Sequence, residues 1–167
     1  MASGALVEYR EGETGGGKVL FCSHTWLRNS HPDNSKGVKL ALLKAVLQRA
    51  VEGSLDLTPH WLIDATFKKA AKAFHLRGAD IKKGLADGYV FFDFMSIPQA
   101  DPEAQARAIN SLVSYVNASA YFLCLAGPWT HEDDGSLRDD MAWSGRGWCR
   151  MELTANALST TAKPVIL

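Results

Sequence analysis

The stretch from Trp143 to Leu158, WSGRGWCRMELTANAL, sets two tryptophans, two arginines, a cysteine and a glutamate at the start of a helical pattern. Other residues able to do chemistry are spread along the chain. Ser23, His24, Thr25 and Trp26 form one run, and Asp93, Ser96 and Gln99 lie in another. Trp129 stands alone, and Arg146, Trp148, Cys149 and Glu152 close the set. A carboxylate among indoles, with few competing charges, suits a planar, hydroxylated ligand such as a nucleotide. Each residue also has a plainer reading. The macrodipole favours any carboxylate in the first turns of a helix. Trp148 is a candidate anchor for that helix beneath the strand ends, and Asp93 can cap the turn that follows it.

Other constellations are weaker. GETGGGKV, ending at Val19, falls short of a phosphate-binding loop, because valine stands where a magnesium-binding hydroxyl is needed and the glycines precede a strand. His24 has no serine and aspartate in a nucleophile-elbow arrangement around it. Asn117-Ala118-Ser119 matches a glycosylation sequon but falls on a helix in a chain without a secretion signal.

The elements that would position these residues follow from periodicity. KVLFCSH is a short, mostly apolar run, read as a buried strand. Lys44, Gln48 and Glu52 then recur every four residues and leave a broad apolar face, which predicts an amphipathic helix. A second helix is expected from Thr58 and Pro59, with Ile63, Phe67, Ala70, Ala71 and Phe74 on one face; no strand separates it from the first. GYVFFDFMSIPQ is the second buried strand with its turn. Asp101-Pro102-Glu103 opens a helix with Ala106, Ile109, Val113 and Val116 on its inner side. AYFLCLAGPW is the third strand, THEDDGSLRDD a polar loop, a helix starts at about Gly147, and KPVIL is the fourth strand.

Apolar strands alternating with helices imply an α/β fold, a flavodoxin-like parallel sheet of at least four strands with helices on both faces and right-handed crossovers. One extra helix is inserted between the first helix and the second strand. Ligands in such sheets gather beyond the carboxyl ends of the strands, which is where the residues of the opening paragraph fall. Residues 1–17, with EGETGGG, read as a flexible lead-in, and residues 18–167 as one domain.

The chain has 167 residues and no net formal charge, so nothing draws it to phosphate backbones in general, and nucleic acid is not an expected partner. No apolar run is long enough to span a bilayer, and no signal-peptide core precedes the domain. Cys22, Cys124 and Cys149 are isolated and form no C-x-x-C pair. They read as small buried hydrophobes in a reducing, cytoplasmic setting rather than as a disulfide framework or a zinc site.

In order and spacing, VLFCSH, GYVFFDF, AYFLCLAGPW, GWCRMELTANALS and KPVIL resemble the segments of TIR (Toll/interleukin-1 receptor) domains. SHTW and the run from Phe91 to Trp129 are also similar to the fungal heterokaryon-incompatibility (HET) domains, a TIR-like branch. Many TIR domains cleave the nicotinamide–ribose bond of NAD+, and their catalytic glutamate sits in the W-C-x-x-E segment, here Glu152. The resemblance implies an NAD+ glycohydrolase acting in defence, stress or cell-death signalling, with NAD+ as substrate, no resident cofactor or metal, and self-association through TIR-like surfaces. It casts Ser23, His24, Thr25, Trp26, Asp93, Ser96, Gln99, Trp129, Arg146 and Trp148 as substrate-binding. Two other readings stay open, a non-catalytic assembly module and a sensor that binds a nucleotide signal without consuming it. The chain departs from the pattern in SHTWLRNS, in the brief SIPQADPEA, in the insertion from about Gly53 to Asp87, and in ending at the fourth strand, where typical members add another strand and helix.

Overall fold

Four parallel strands form the sheet in the order β2-β1-β3-β4: β1 (Val19–His24), β2 (Tyr89–Phe92), β3 (Tyr121–Leu125) and β4 (Val165–Ile166). The computed structural model describes residues 7–8, 18–58 and 75–167. Parallel neighbours cannot be joined by hairpins, so each crossover carries helix. These are α1 (Val38–Glu52), α2 (Gly78–Leu85), α3 (Asp93–Ser96), α4 (Pro102–Asn110), α5 (Leu112–Ala118), α6 (Asp140–Gly145) and α7 (Gly147–Leu158). The α/β, flavodoxin-like expectation holds.

Side chains alternate across the central strands and build two cores. Leu20 and Cys22 of β1 pack with Leu123 and Leu125 of β3 against Leu43 and Ala50 of α1 and Ile81 of α2. Phe21, Phe122 and Cys124 face the other way, onto Leu112, Val116, Trp143 and Cys149. The same alternation sets the end of β1. Ser23 continues the Phe21 side, toward α7, and His24 continues the Cys22 side, toward α1.

Local chemistry explains the helix ends. Asp33 accepts hydrogen bonds from the backbone N–H groups of Lys39 (3.0 Å) and Leu40 (2.8 Å) and so caps the first turn of α1. Gly53 ends α1 at φ +80°, a left-handed cap that glycine adopts without strain. Asp101 caps α4 through Glu103 and Ala104, with Pro102 at the first helical position, as the Asp-Pro-Glu sequence predicts. Beyond α7, the Asn156 side chain bonds both the N–H and the C=O of Lys163, and Lys163 Nζ reaches Val116 O at 2.9 Å. These contacts deliver the chain into β4.

Several expectations need correction. The helix from Asp101 is broken at Ser111, whose hydroxyl bonds back to Arg107 O. The break changes the buried stripe to Ala108, Leu112 and Val116, leaving Ala106 and Val113 exposed. β2 is not buried through its length; it is an edge strand, with Val90 exposed. The sequence predicts a helix start only at about Gly147, but α6 already begins at Asp140, at the end of the polar loop, and Asp139 caps it through Ala142 N–H. GADIKKGL forms α2, which its two glycines disguise in the sequence; a Cβ on Gly78 would sit 2.2 Å from Gly53 O, so this helix start must be glycine to approach the end of α1. The inserted helix expected from Thr58 falls mostly on residues 59–74, outside the described residues, as does the lead-in apart from Val7 and Glu8. Leu57 and Leu76, flanking that segment, pair in an antiparallel bridge.

Candidate functional site

A cleft of about 290 Å³ opens where the ends of β1 and β2 meet the start of α7. His24 and Trp26 come from β1 and the turn after it, Asp93, Phe94, Ile97 and Gln99 from the turn after β2, Gln105, Ile109 and Leu112 from α4 and α5, and Arg146, Trp148 and Glu152 from α7. Parallel strands ending side by side bring these distant segments to one edge.

Glu152 lies in the second turn of α7 and lines this cleft, only 8% exposed and not at the rim. The Ser23 hydroxyl donates to its Oε2 at 2.5 Å, and Trp143 Nε1 donates to Ser23 Oγ at 2.8 Å. Burial pushes the Glu152 carboxyl up to about 7; the Ser23 bond opposes this, the charge of Asp93 adds to it and Arg146 opposes it. The result is a carboxyl that ionises near neutral pH in an aromatic-lined recess.

Asp93 is a different carboxylate. Burial works to raise its pKa, but His24 Nε2 (2.8 Å from Oδ1), the Phe94 N–H (2.6 Å) and Trp26 Nε1 (3.4 Å from Oδ2) hold it below the usual carboxylate range. Asp93 is therefore anionic at neutral pH and committed to three donors. It fixes the Trp26 indole, which meets the Phe94 ring edge-on at 5.7 Å, and the His24 ring, which stacks on Phe92 at 4.3 Å.

Not every expected residue faces the cleft. Ser23 is fully buried and reaches the cleft only through Glu152. Thr25 is buried outside it, with its hydroxyl unpaired. Ser96 accepts from the Phe92 N–H and closes the turn after β2, a backbone role that its position in SIPQ did not reveal. Trp129 lies away from the cleft, beside Gly127 and 5.7 Å from Lys39 Nζ. Gln99 lines the cleft, braced by Ile97 O at 2.8 Å, and Arg146 lines it from the N-cap of α7. Trp148 is not the helix anchor. It is 49% exposed and forms one wall, while Trp143, 5% exposed, takes the anchoring place. The bonus of an indole N–H partner in the core is what favours Trp143 there. Sequence reasoning also missed Phe94, Gln105 and the buried Lys39, the last because it sits on the apolar side of α1.

A larger, more open recess of about 510 Å³ lies between α5 and α7, lined by residues including Val113, Arg150, Met151 and Leu158. It contains no carboxylate and no histidine, whereas the smaller cleft has Asp93, Glu152 and His24. Among the described residues, no group of three or more His, Cys, Asp or Glu side chains could hold a metal ion, and no helix is long and apolar enough to cross a membrane. No family model, curated protein or solved structure matches the chain.

Proposed function

We propose that this chain is a TIR-like NAD+ glycohydrolase that cleaves the nicotinamide–ribose bond, with Glu152 as its catalytic residue. The observation that carries the reading is the position of Glu152, a desolvated carboxyl lining a cleft walled by Trp26, Phe94 and Trp148. The family likeness of GWCRMEL supplies the reaction and its setting in defence, stress or cell-death signalling.

The residues suit that reaction. The nicotinamide ring of NAD+ is a cation and leaves as a neutral molecule, taking the electron pair of the breaking C–N bond, so no general acid is needed. Positive charge develops on the ribose, and a carboxylate held beside it stabilises the oxocarbenium-like transition state, as carboxylates do in glycosidases. Water then adds to the ribose carbon and loses a proton. The aromatic walls suit the planar ring. Known ligand pockets start at about 300 Å³. At about 290 Å³ the cleft takes part of the dinucleotide, and the remainder lies outside it.

The test incubates concentrated protein with NAD+, separates the products by chromatography and repeats the incubation with Glu152→Ala. Nicotinamide released by wild type alone supports the reading. Retained, uncleaved nucleotide points to the sensor. No turnover and no retention, even under crowding, leaves the assembly module as the better account.

A further inference from the structure

Lys39 is fully buried, and the proposed reaction gives it no task. It lies on the inner side of α1 with Leu43 and Ala50. An ammonium in such a place is costly unless acceptors surround it. Its Nζ donates to the Thr25 carbonyl, stands 3.5 Å from His24 Nδ1 and lies over the Trp129 ring. The other His24 nitrogen, Nε2, meets Asp93 Oδ1 at 2.8 Å, and Asp93 Oδ2 accepts from Trp26. Lys39, His24, Asp93 and Trp26 thus form one line from the core to the cleft wall.

We propose that Lys39 is a positioning residue for the cleft, keeping Nδ1 of His24 bare so that the ring carries its proton on Nε2, donates it to Asp93 and lets Asp93 anchor Trp26. A proton on Nδ1 would point at a cation 3.5 Å away. Thr25 O, 3.4 Å from the same nitrogen, accepts from the ammonium. Only Nε2 is left to carry the ring proton, and it donates to Asp93. Asp33 from the loop before α1, His24, Asp93, Arg146 at the N-cap of α7 and Cys149 of α7 are the ionisable groups around the ammonium. Burial lowers the Lys39 pKa to about 8, with Asp33 and Asp93 opposing and Arg146 adding, so the lysine is mainly charged at pH 7. The Cys149 thiol is pushed up to about 11 and stays neutral.

The effect on turnover rests on the glycohydrolase reading, whereas the effect on His24 does not. The experiment records imidazole ¹⁵N–¹H correlations of His24 at pH 7 in wild type and in Lys39→Met, together with NAD+ kinetics. Wild type is expected to show a bare Nδ1 and a protonated Nε2. In Lys39→Met the Thr25 carbonyl becomes free to accept, Nδ1 gains a proton, and KM rises about fivefold with kcat unchanged within twofold, because Glu152 is untouched. A wild-type ring protonated at Nδ1 overturns the proposal without any variant, as does an unchanged His24 pattern in Lys39→Met. A changed pattern with unchanged KM in an active enzyme overturns the link to the cleft. A changed pattern in a protein that releases no nicotinamide leaves the Lys39 assignment standing and removes the enzyme reading instead.

Discussion

The hydroxyl of Ser23 lies 2.5 Å from the Glu152 carboxylate, across 129 positions of sequence. The contact arises from strand alternation, which turns Ser23 toward α7, and from the second turn of α7, which places Glu152 opposite it. Trp143 completes the arrangement by donating to the same hydroxyl. Ser23 is therefore a donor that favours the ionised form of a carboxyl that burial disfavours.

Removing that donor shifts the balance further toward the protonated acid. In wild type, activity that needs the Glu152 carboxylate rises as pH passes through about 7. Ser23→Ala is expected to move the midpoint up by about one unit, the equivalent of one charge-assisted hydrogen bond. A pH–rate profile of both proteins measures this. An unmoved midpoint would mean that the ionisation controlling the rate is not that of Glu152.

Glu152 also couples stability to pH. Its pKa rises from 4.5 in the free side chain to about 7 in the fold. The folded chain thus holds this proton more tightly than the unfolded chain. The contribution is complete below pH 4.5 and is lost as pH climbs through about 7. The full swing is on the order of 3 kcal/mol. Glu152→Gln carries no such ionisation. It is expected to match wild type in urea unfolding at pH 4, to exceed it at pH 8, and to release nicotinamide on the order of 10²-fold more slowly or worse. A stability difference that does not widen with pH would contradict the buried carboxyl.

Much of this arrangement was legible in the sequence. Apolar strands alternating with helical periodicity fixed the layer order, and Asp101-Pro102 marked a helix start by its capping chemistry. Glu152 and the segments around the cleft emerged from the rule that ligands collect at strand ends. What periodicity could not show was direction within a turn. Trp143 and Trp148 lie five residues apart, on either side of Arg146, and only the break between α6 and α7 decides which of them enters the core. Lys39 was hidden for a related reason. Its type says surface, and it is tolerated inside because Thr25 O and His24 Nδ1, both on the chain leaving β1, happen to meet it.

The three thiols offer a test of the sheet itself. Cys22, Cys124 and Cys149 are free and buried, and burial raises each thiol pKa, Cys124 to about 12 and Cys149 to about 11. Thiolate is the reactive species, so a thiol reagent at pH 7.5 is expected to modify none of them in the folded protein and all three in denaturant. Rapid labelling of Cys149 under native conditions would show that α7 is not packed on β1 as described.

The two tryptophans of α6 and α7 divide the work between stability and binding. Trp143 fills the core against Phe122 and Cys124 and spends its indole N–H on Ser23. Trp143→Ala is expected to cost about 3–5 kcal/mol, through the cavity and the lost partner of Ser23. Trp148 is half exposed on the cleft wall and has no comparable packing to lose. Trp148→Ala is expected to change stability by less than about 0.5 kcal/mol. If it stacks on a bound ring, its loss raises KM for NAD+ by up to about tenfold, the equivalent of roughly 1.4 kcal/mol of aromatic contact. Urea unfolding and steady-state kinetics on the two variants separate these roles. Equal destabilisation by both would place Trp148 back in the core, and an unchanged KM in Trp148→Ala would remove it from the ligand's path.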